Sequence, residues 1–315
     1  MDIKLRLTLF VAIGAIAASC SGATAEDLPA EPAATIAADP ATAASSPTPP
    51  ASEDEASGSE VIDIEIRNRK DVRTSNVSNE SPQMATLRVP PGLDGTSPVV
   101  VLLHGAGGPT LQSLEAMAEA VSDRGIPVLN ASWAASIAHP RESAADAVCA
   151  VAFAYQQADV WGADKDKIII MGHSGGGQVG SLAALAPELF PECETAADAH
   201  VWAYVGLAGD PTAAAPGGNA YPFWKDYPEI LAVMDASNHI AGNPDLIARF
   251  VHGTSDGTVK LERTRAFHDA LVEAGYDSRF IPVEGASHTD PSDPHTSAGS
   301  EVLRVLEELT DLSMP

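Results

Sequence analysis

The chain has 315 residues and a formal net charge of −25, from 43 acidic residues against 18 Lys and Arg. Such a charge disfavours binding to nucleic acid and to anionic membrane surfaces, because both need clustered Lys and Arg, which the sequence lacks. Residues 1–60 are mostly Ala, Pro, Ser, Thr and acidic residues, whereas residues 61–315 have the mixed composition of a globular domain. That second region is long enough to bury one sizeable core.

The N-terminus has the pattern of an export signal. Lys4 and Arg6 precede an apolar run over residues 7–18, which is too short for a transmembrane helix of about 20 residues. The tripeptide Ala-Thr-Ala at residues 23–25 is a small-x-small cleavage site. The sequence therefore predicts export, with residues 1–25 as the signal.

A second cleavage hypothesis attaches a lipid to Cys20. Residues 17–20 resemble a bacterial lipobox, although Ala17 stands where Leu is usual. Residues 26–60 form a Pro-rich, acidic linker that cannot bury enough apolar surface to fold and would serve as a tether. This tether favours a lipoprotein of the cell envelope over a freely secreted protein, and the sequence leaves both open. A lipid at Cys20 is the only membrane attachment expected.

Apolar, β-branched runs alternate with helical patterns through residues 61–315, which predicts an α/β fold with a mostly parallel central sheet and helices on both faces. The predicted strands are Val61–Ile66, Met84–Val89, Val99–Leu103, Ile126–Leu129, Lys167–Met171, Val201–Leu207, Leu246–Val251 and Ser278–Val283. The predicted helices are Leu111–Ser122, Ser143–Trp161, Gly175–Ala186, Leu261–Ala274 and Ser297–Leu309. The third strand is apolar throughout, as expected of a strand buried on both faces.

A Pro- and Gly-rich segment at about residues 209–245 interrupts this alternation. A long insertion in a compact α/β domain is typical of a lid or a binding loop. Tyr221, Phe223, Trp224 and Tyr227 are grouped in it. Their rings would either line a substrate pocket or pack the insertion onto the core, and the sequence does not decide between the two.

The two cysteines of the globular region, Cys149 and Cys193, are predicted to form a disulfide. Two unpaired cysteines in an exported chain favour a bond in an oxidising compartment, and two buried thiols remain the alternative. Neither cysteine has metal-ligand spacing, so no zinc site is expected.

A nucleophile elbow is the strongest motif of the chain. Residues 172–176 read Gly-His-Ser-Gly-Gly and lie between a predicted strand and a predicted helix. The pattern G-x-S-x-G in this context places Ser174 on a strained turn that exposes its hydroxyl, while the N–H of Gly175 and the helix N-terminus face developing negative charge. The sequence therefore predicts Ser174 as a nucleophile.

With this elbow the chain resembles the α/β-hydrolase superfamily, and more closely its carboxylesterase-like members, over nearly all of residues 84–315. Residues 104–108, His-Gly-Ala-Gly-Gly, are similar to the HGGG-type motif of esterases and lipases, with Ala106 in place of one Gly. The resemblance implies an oxyanion hole made by the N–H of Ala106 or Gly107 together with that of Gly175.

The resemblance also implies the two partners of the nucleophile. Residues 252–259 look like the HGxxDxxV loop that carries the acid of the family, which makes Asp256 the triad acid and leaves Asp210 as the alternative. His288 follows the last predicted strand, where the family carries its base, and His295 in the same loop is the alternative. His104 and His252 are expected to brace the backbone of their loops.

These residues predict an exported serine hydrolase that cleaves carboxylic esters through an acyl-enzyme, with no metal or organic cofactor. Its partner would be a small-molecule or lipid-like ester. A peptidase or a thioesterase would use the same triad, and a cell-surface binding module could retain the fold without catalysis.

Overall fold

The strands of the described part of the chain form one eight-stranded sheet. The computed structural model describes residues 59–67, 83–106, 111–191, 193 and 198–313. The strands are β1 (Glu60–Arg67), β2 (Gln83–Val89), β3 (Val99–Leu103), β4 (Val128–Ala131), β5 (Ile168–His173), β6 (Val201–Leu207), β7 (Ile247–Gly253) and β8 (Ser278–Val283). Their order is β1-β2-β4-β3-β5-β6-β7-β8, with β1 and β2 antiparallel to their neighbours and all pairs from β4 to β8 parallel. The mostly parallel sheet predicted from the sequence is confirmed.

Helices cover both faces of this sheet. They are α1 (Glu115–Ser122), α2 (Pro140–Trp161), α3 (Gly175–Leu185), α4 (Tyr221–Trp224), α5 (Pro228–Met234), α6 (Leu261–Glu273) and α7 (Ser297–Ser313). Alternate residues of β3 belong to two apolar clusters: one includes buried residues of α2, α3 and α6, and the other includes buried residues of α1 and α7. Because side chains alternate along a strand, a strand enclosed in this way must be apolar at every position.

Several predicted boundaries are wrong by a few residues, and proline explains two of them. β4 begins at Val128 instead of Ile126, because Pro127 has no N–H to donate to a ladder. α2 begins at Pro140 instead of Ser143, because proline is well suited to the first turn of a helix. The end of α2 agrees with the prediction, since Gly162 caps it with a φ of 75°.

The insertion at about residues 209–245 contains α4, α5 and a run of 3₁₀ turns at Ala236–Gly242. Trp224, at the end of α4, is buried, and its indole N–H donates to the carbonyl oxygen of Ile137 at 2.8 Å. Ile137 lies in the loop between β4 and α2. The insertion is therefore fastened across the carboxyl ends of the parallel strands.

The predicted disulfide is present in the structure. Cys149 of α2 is bonded to Cys193, with the two Cα atoms 5.4 Å apart. The bond ties α2 to the connection between α3 and β6.

The export signal, the lipidation site at Cys20 and the linker at residues 26–60 lie outside the described residues, except for the last two positions of the linker. Within the described ranges, no helix combines the length and apolar character needed to cross a bilayer.

Candidate active site

Ser174 sits on a strained turn between β5 and α3. Its φ is 52° and its ψ is −116°, a conformation that residues with a side chain rarely adopt and that costs on the order of 1–3 kcal/mol. The turn is tight because glycine flanks it. A Cβ on Gly172 would clash with the carbonyl oxygen of Gly176, and a Cβ on Gly176 would clash with that of Leu103. The sequence thus folds into the elbow that its pentapeptide predicts.

His288 bridges Ser174 and Asp256. Its Nε2 lies 2.9 Å from Oγ of Ser174, and its Nδ1 lies 2.8 Å from Oδ2 of Asp256. A carboxylate only accepts hydrogen bonds, so Nδ1 carries the proton and Nε2 is the bare nitrogen that faces the hydroxyl. This tautomer is the one that can take a proton from Ser174.

Asp256 lies in the loop between β7 and α6, and its side chain is fully buried. Its Oδ1 accepts hydrogen bonds from the backbone N–H groups of Thr258 and Val259, each at 2.8 Å. Its Oδ2 lies near His288 and also 3.1 Å from Nε2 of His252. Burial raises the pKa of the Asp256 carboxyl, but the hydrogen bonds from His252, His288 and the backbone outweigh burial and hold that pKa well below its usual range. Asp256 is therefore ionised at neutral pH.

A glycine lets the loop of Asp256 and the loop of His288 touch. Gly253 ends β7, and a Cβ there would clash with the carbonyl oxygen of Ala286 in the loop that carries His288. Ser255 donates its backbone N–H to that same carbonyl at 3.0 Å. This close contact brings the loop of Asp256 against the loop of His288.

His173 is a site residue that the sequence reasoning missed. It occupies the variable position of the elbow, so no motif identifies it. Its Nε2 lies 3.1 Å from the carbonyl oxygen of His288, and the two rings are 5.0 Å apart. Burial lowers the pKa of His173 to about 4, against the opposing effect of its hydrogen bond to that carbonyl. His173 is therefore a neutral donor that holds the backbone of His288.

Two other histidines were expected to brace their loops. His104 does so, because its Nδ1 lies 2.9 Å from the carbonyl oxygen of Gly105 and its Nε2 lies 3.3 Å from the backbone nitrogen of Trp133. His252 contacts the carbonyl oxygen of Val259 at 3.1 Å, but it also reaches the carboxylate of Asp256. The expectation for His252 was therefore incomplete.

The residues of the expected oxyanion hole lie beside Ser174. A Cβ on Gly175 would lie 3.1 Å from the backbone nitrogen of Ala106, so these two backbones are adjacent. Both residues line the cavity into which Ser174 opens. Gly107 lies outside the described residues, so its part in the expected hole stays a prediction.

The alternative acid and the alternative base have other contacts. Asp210 accepts from Nε of Arg263 at 2.7 Å and from the hydroxyl and N–H of Thr212. His295 is exposed, and its backbone N–H donates to Asp293. In the described part of the chain, the geometry thus joins Ser174 to His288 and Asp256 and leaves the two alternatives apart from that chain of hydrogen bonds.

A cavity of about 250 Å³ opens at Ser174. Apolar side chains dominate its wall, from the loop after β4, from α3, from the insertion and from the loop between β7 and α6; they include Trp133, Ile137, Val179, Trp224, Met234 and Val259. Of the four aromatic residues grouped in the insertion, Trp224 lines the cavity, whereas Phe223 and Tyr227 are 55% and 50% exposed. The pocket hypothesis thus holds for one of the four rings.

Asp210 is the one charged side chain on the described wall of this cavity, and it is already paired with Arg263. Among the described residues, no group of three or more His, Cys, Asp or Glu side chains is arranged to hold a metal ion. The hydrogen bonds of His288 to Ser174 and Asp256 are an arrangement that can perform nucleophilic attack by a hydroxyl, with the neighbouring imidazole as base.

Solved esterase structures share this architecture. The native Est2 esterase from the planctomycete Thermogutta terrifontis superposes with a TM-score of 0.66, at 21% identity, over 80% of this chain and 91% of that chain. Its butyrate-bound form gives a TM-score of 0.65 at 22% identity, over 80% and 92% of the two chains. This chain has the α/β-hydrolase fold. The fold predicted from the sequence is thereby confirmed.

Sequence comparisons agree with this fold. The family model BD-FAE matches residues 86–205, a span that contains the elbow. The isoprenylcysteine alpha-carbonyl methylesterase ICME of Arabidopsis thaliana is 24% identical over 261 residues, which cover 70% of this chain. The aligned part is 57% of that relative's length, so the chain spans little more than half of it. The resemblance of this chain to carboxylesterase-like proteins is therefore confirmed.

Proposed function

We propose that this chain hydrolyses carboxylic esters with Ser174 as nucleophile, His288 as general base and acid, and Asp256 as the carboxylate that orients the base. The observation that carries the proposal is the chain of hydrogen bonds from Oγ of Ser174 through the imidazole to Asp256, at 2.9 and 2.8 Å. Ser174, at one end of this chain of hydrogen bonds, lines the cavity. A hydroxyl, a correctly protonated imidazole and a buried carboxylate in line are the parts that acyl transfer needs.

In the first step, Oγ of Ser174 attacks the ester carbonyl carbon while Nε2 of His288 takes the hydroxyl proton. A bond forms between Oγ and the carbon, and the carbonyl electron pair moves to the oxygen. The N–H groups of Ala106 and Gly175 would stabilise that oxyanion, with Gly107 as the alternative to Ala106, and the N-terminus of α3 adds a favourable dipole. Asp256 stabilises the imidazolium that has formed.

In the second step, the tetrahedral intermediate collapses. The bond to the alkoxy oxygen breaks, and His288 gives its proton to that oxygen, so an alcohol leaves and an acyl group stays on Ser174. A water molecule then repeats the sequence with its own proton passing to His288. The bond to Oγ breaks, Ser174 regains its proton, and a carboxylic acid is released.

The cavity favours an ester with a small, uncharged group next to the scissile bond. Its wall is mostly apolar, and its charged side chain, Asp210, is neutralised by Arg263. An ionised substrate group would lose its hydration there without gaining a partner. The relatives fit this substrate class: one is a methylesterase, and structures of the Thermogutta esterase contain butyrate or propionate.

The test is hydrolysis of p-nitrophenyl butyrate by the wild type, by Ser174→Ala and by Ser181→Ala. The Ser174→Ala substitution is expected to lower kcat by several orders of magnitude without unfolding the chain. Ser181 lies two turns along α3 and bonds the carbonyl of Gln178, so its replacement serves as the control. Equal rates in the wild type and in Ser174→Ala would refute the assignment of the nucleophile.

A fluorophosphonate label separates an enzyme from a binding module with this fold. Oγ of Ser174 would attack phosphorus, fluoride would leave, and the hydroxyl proton would pass to His288, giving a stable adduct. The Thermogutta esterase has been solved in a form phosphorylated by paraoxon, which suits this choice of probe. Absence of an adduct would favour the binding module, whereas faster turnover of a thioester or a peptide anilide than of esters would redirect the proposal to those reactions.

Export and lipid attachment at Cys20 are a separate proposal that depends on the sequence pattern. Mass spectrometry of the mature N-terminus is the measurement. A lipidated Cys20 would support it, and a chain that starts at Glu26 would indicate plain secretion.

A further inference from the structure

His252 lies next to the last residue of β7, and its side chain is 0% exposed. Its Nε2 is 3.1 Å from the carbonyl oxygen of Val259 and 3.1 Å from Oδ2 of Asp256. Both neighbours are acceptors, so Nε2 must carry a proton and donate it to them. The other nitrogen of the ring, Nδ1, has no hydrogen-bond partner among the described residues. The ring is thus a donor on one side only.

Packing alone does not account for a histidine at this place. An apolar side chain would fill the same volume without leaving a polar atom buried and unpaired, which is costly. The unpaired Nδ1 is tolerated because Nε2 meets the two acceptors. The polar contacts of His252 are therefore made with the carboxylate of Asp256 and the carbonyl of Val259, and not with the core.

The arrangement links the end of β7 to two parts of the loop that follows it. His252 stands before the loop, Asp256 lies within it, and Val259 lies near its end. Oδ1 of Asp256 is held by backbone N–H groups, whereas Oδ2 is shared between His252 and His288. Rotation of the carboxylate would break the bond between Nε2 of His252 and Oδ2 as well as the bond to His288. His252 therefore opposes that rotation.

We propose that His252 is a positioning residue that aims Oδ2 of Asp256 at Nδ1 of His288 through a hydrogen bond shared with the carbonyl of Val259. The inference rests on the proposed triad. It concerns the orientation of the acid, so its effect should appear in the rate of the chemical step and not in substrate binding. His252 does not line the cavity, which separates it from residues that touch the substrate.

The test uses a matched pair of substitutions. His252→Met removes the donor, and His252→Gln keeps an N–H near the position of Nε2. His268→Met is the control. The ring of His268 lies 6.0 Å from the ring of Phe280, as the ring of His252 lies 6.4 Å from it, but the hydrogen bond of His268 goes to Ser278 and not to the triad. Full-length proteins are compared by kcat and KM for p-nitrophenyl butyrate and by the downfield proton resonance of the bond between His288 and Asp256.

The expected result is a kcat lower by roughly ten- to hundredfold in His252→Met, as for loss of a hydrogen bond to a charged group, with KM unchanged. His252→Gln should recover most of the rate, His268→Met should match the wild type, and the downfield resonance should shift or disappear only in His252→Met. A His252→Met protein with wild-type kcat and an unshifted resonance would overturn the proposal.

A measurement on the wild type covers the case in which His252→Met does not fold. In the spectrum of protein labelled with ¹⁵N-histidine, the proposal requires a proton on Nε2 of His252 and none on Nδ1. The reverse tautomer would overturn it. Neither NMR measurement needs ester turnover, so failure of the proposed function and failure of this inference are distinguishable.

Discussion

The buried histidine of the elbow should make the stability of the protein depend on pH. His173 has an ordinary pKa of 6.5 in the unfolded chain and, through burial, a pKa of about 4 in the folded chain. Between these two values the unfolded state binds more protons, so the free energy of unfolding falls as the pH falls. Its contribution is complete above pH 6.5 and is lost as the pH drops through 4.

The size of this effect follows from the same two values. Each pKa unit corresponds to about 1.4 kcal/mol, so moving the pKa of His173 from 6.5 to about 4 is worth about 3 kcal/mol. That amount is a large part of the free energy of unfolding of a typical folded domain, which is about 5–15 kcal/mol. The side chain is almost wholly buried, so solvent screening removes little of it.

The contribution of His173 is measured by urea unfolding of the wild type and of His173→Gln at a series of pH values between 4 and 7. Tryptophan fluorescence is the signal. Glutamine keeps an N–H for the carbonyl of His288 but has no charge to gain. The stability of the wild type relative to the variant should therefore decline by about 3 kcal/mol from pH 7 to pH 4. Carboxylates such as Asp256 titrate in both proteins and cancel.

His295→Gln is the control, because His295 is exposed and its replacement should leave the slope with pH unchanged. If the wild type and His173→Gln lose stability in parallel over this range, the pKa of His173 is not lowered by folding and the reasoning from burial is wrong.

Contacts elsewhere in the molecule lead to three more predictions. Trp224→Ala should raise the rate on longer p-nitrophenyl acyl esters relative to butyrate, because it removes an indole from the cavity wall, and a chain-length series with Trp224→Phe as control measures this. Asp256→Asn should lower kcat by about 10⁴, as for loss of a triad acid, whereas Asp210→Asn should keep activity within about tenfold, since Asp210 bonds Arg263 and not a histidine. Replacing Cys149 and Cys193 by Ser should lower the free energy of unfolding by about 4 kcal/mol, from closure of a 44-residue loop, as urea unfolding would show.

Local sequence patterns predicted the strands and the elbow of this molecule well. β3, β6 and β8 have the predicted bounds, because each is a short run rich in apolar and β-branched residues with polar or turn residues at its ends. The elbow was predicted equally well, since Gly172, Ser174 and Gly176 meet steric demands that are local to one turn. A pattern of this kind is complete within a few residues, so a single sequence is enough to find it.

Contacts between distant loops were harder to predict. Asp256 and His288 could be assigned to positions after strands, and parallel strands bring such positions to one edge of the sheet. No sequence pattern indicated that His173 bonds the backbone of His288, 115 residues away, or that Arg263 bonds Asp210, 53 residues away. These contacts depend on loop conformations, which hydrophobic periodicity does not encode.

The three histidines around the proposed triad show why one of them is suited to be the base. Nε2 of His173 faces a carbonyl oxygen, and Nε2 of His252 faces a carbonyl and a carboxylate, so each of these nitrogens must keep its proton to satisfy its neighbours. Nε2 of His288 faces a hydroxyl, which is the one among these partners that can donate, while its Nδ1–H is held by Asp256. A proton can therefore move to Nε2 of His288 without breaking the hydrogen bond between Nδ1 and Asp256. A second proton on His173 or His252 would place a positive charge on a buried ring. The atoms that face each imidazole therefore determine which of the three can accept a proton.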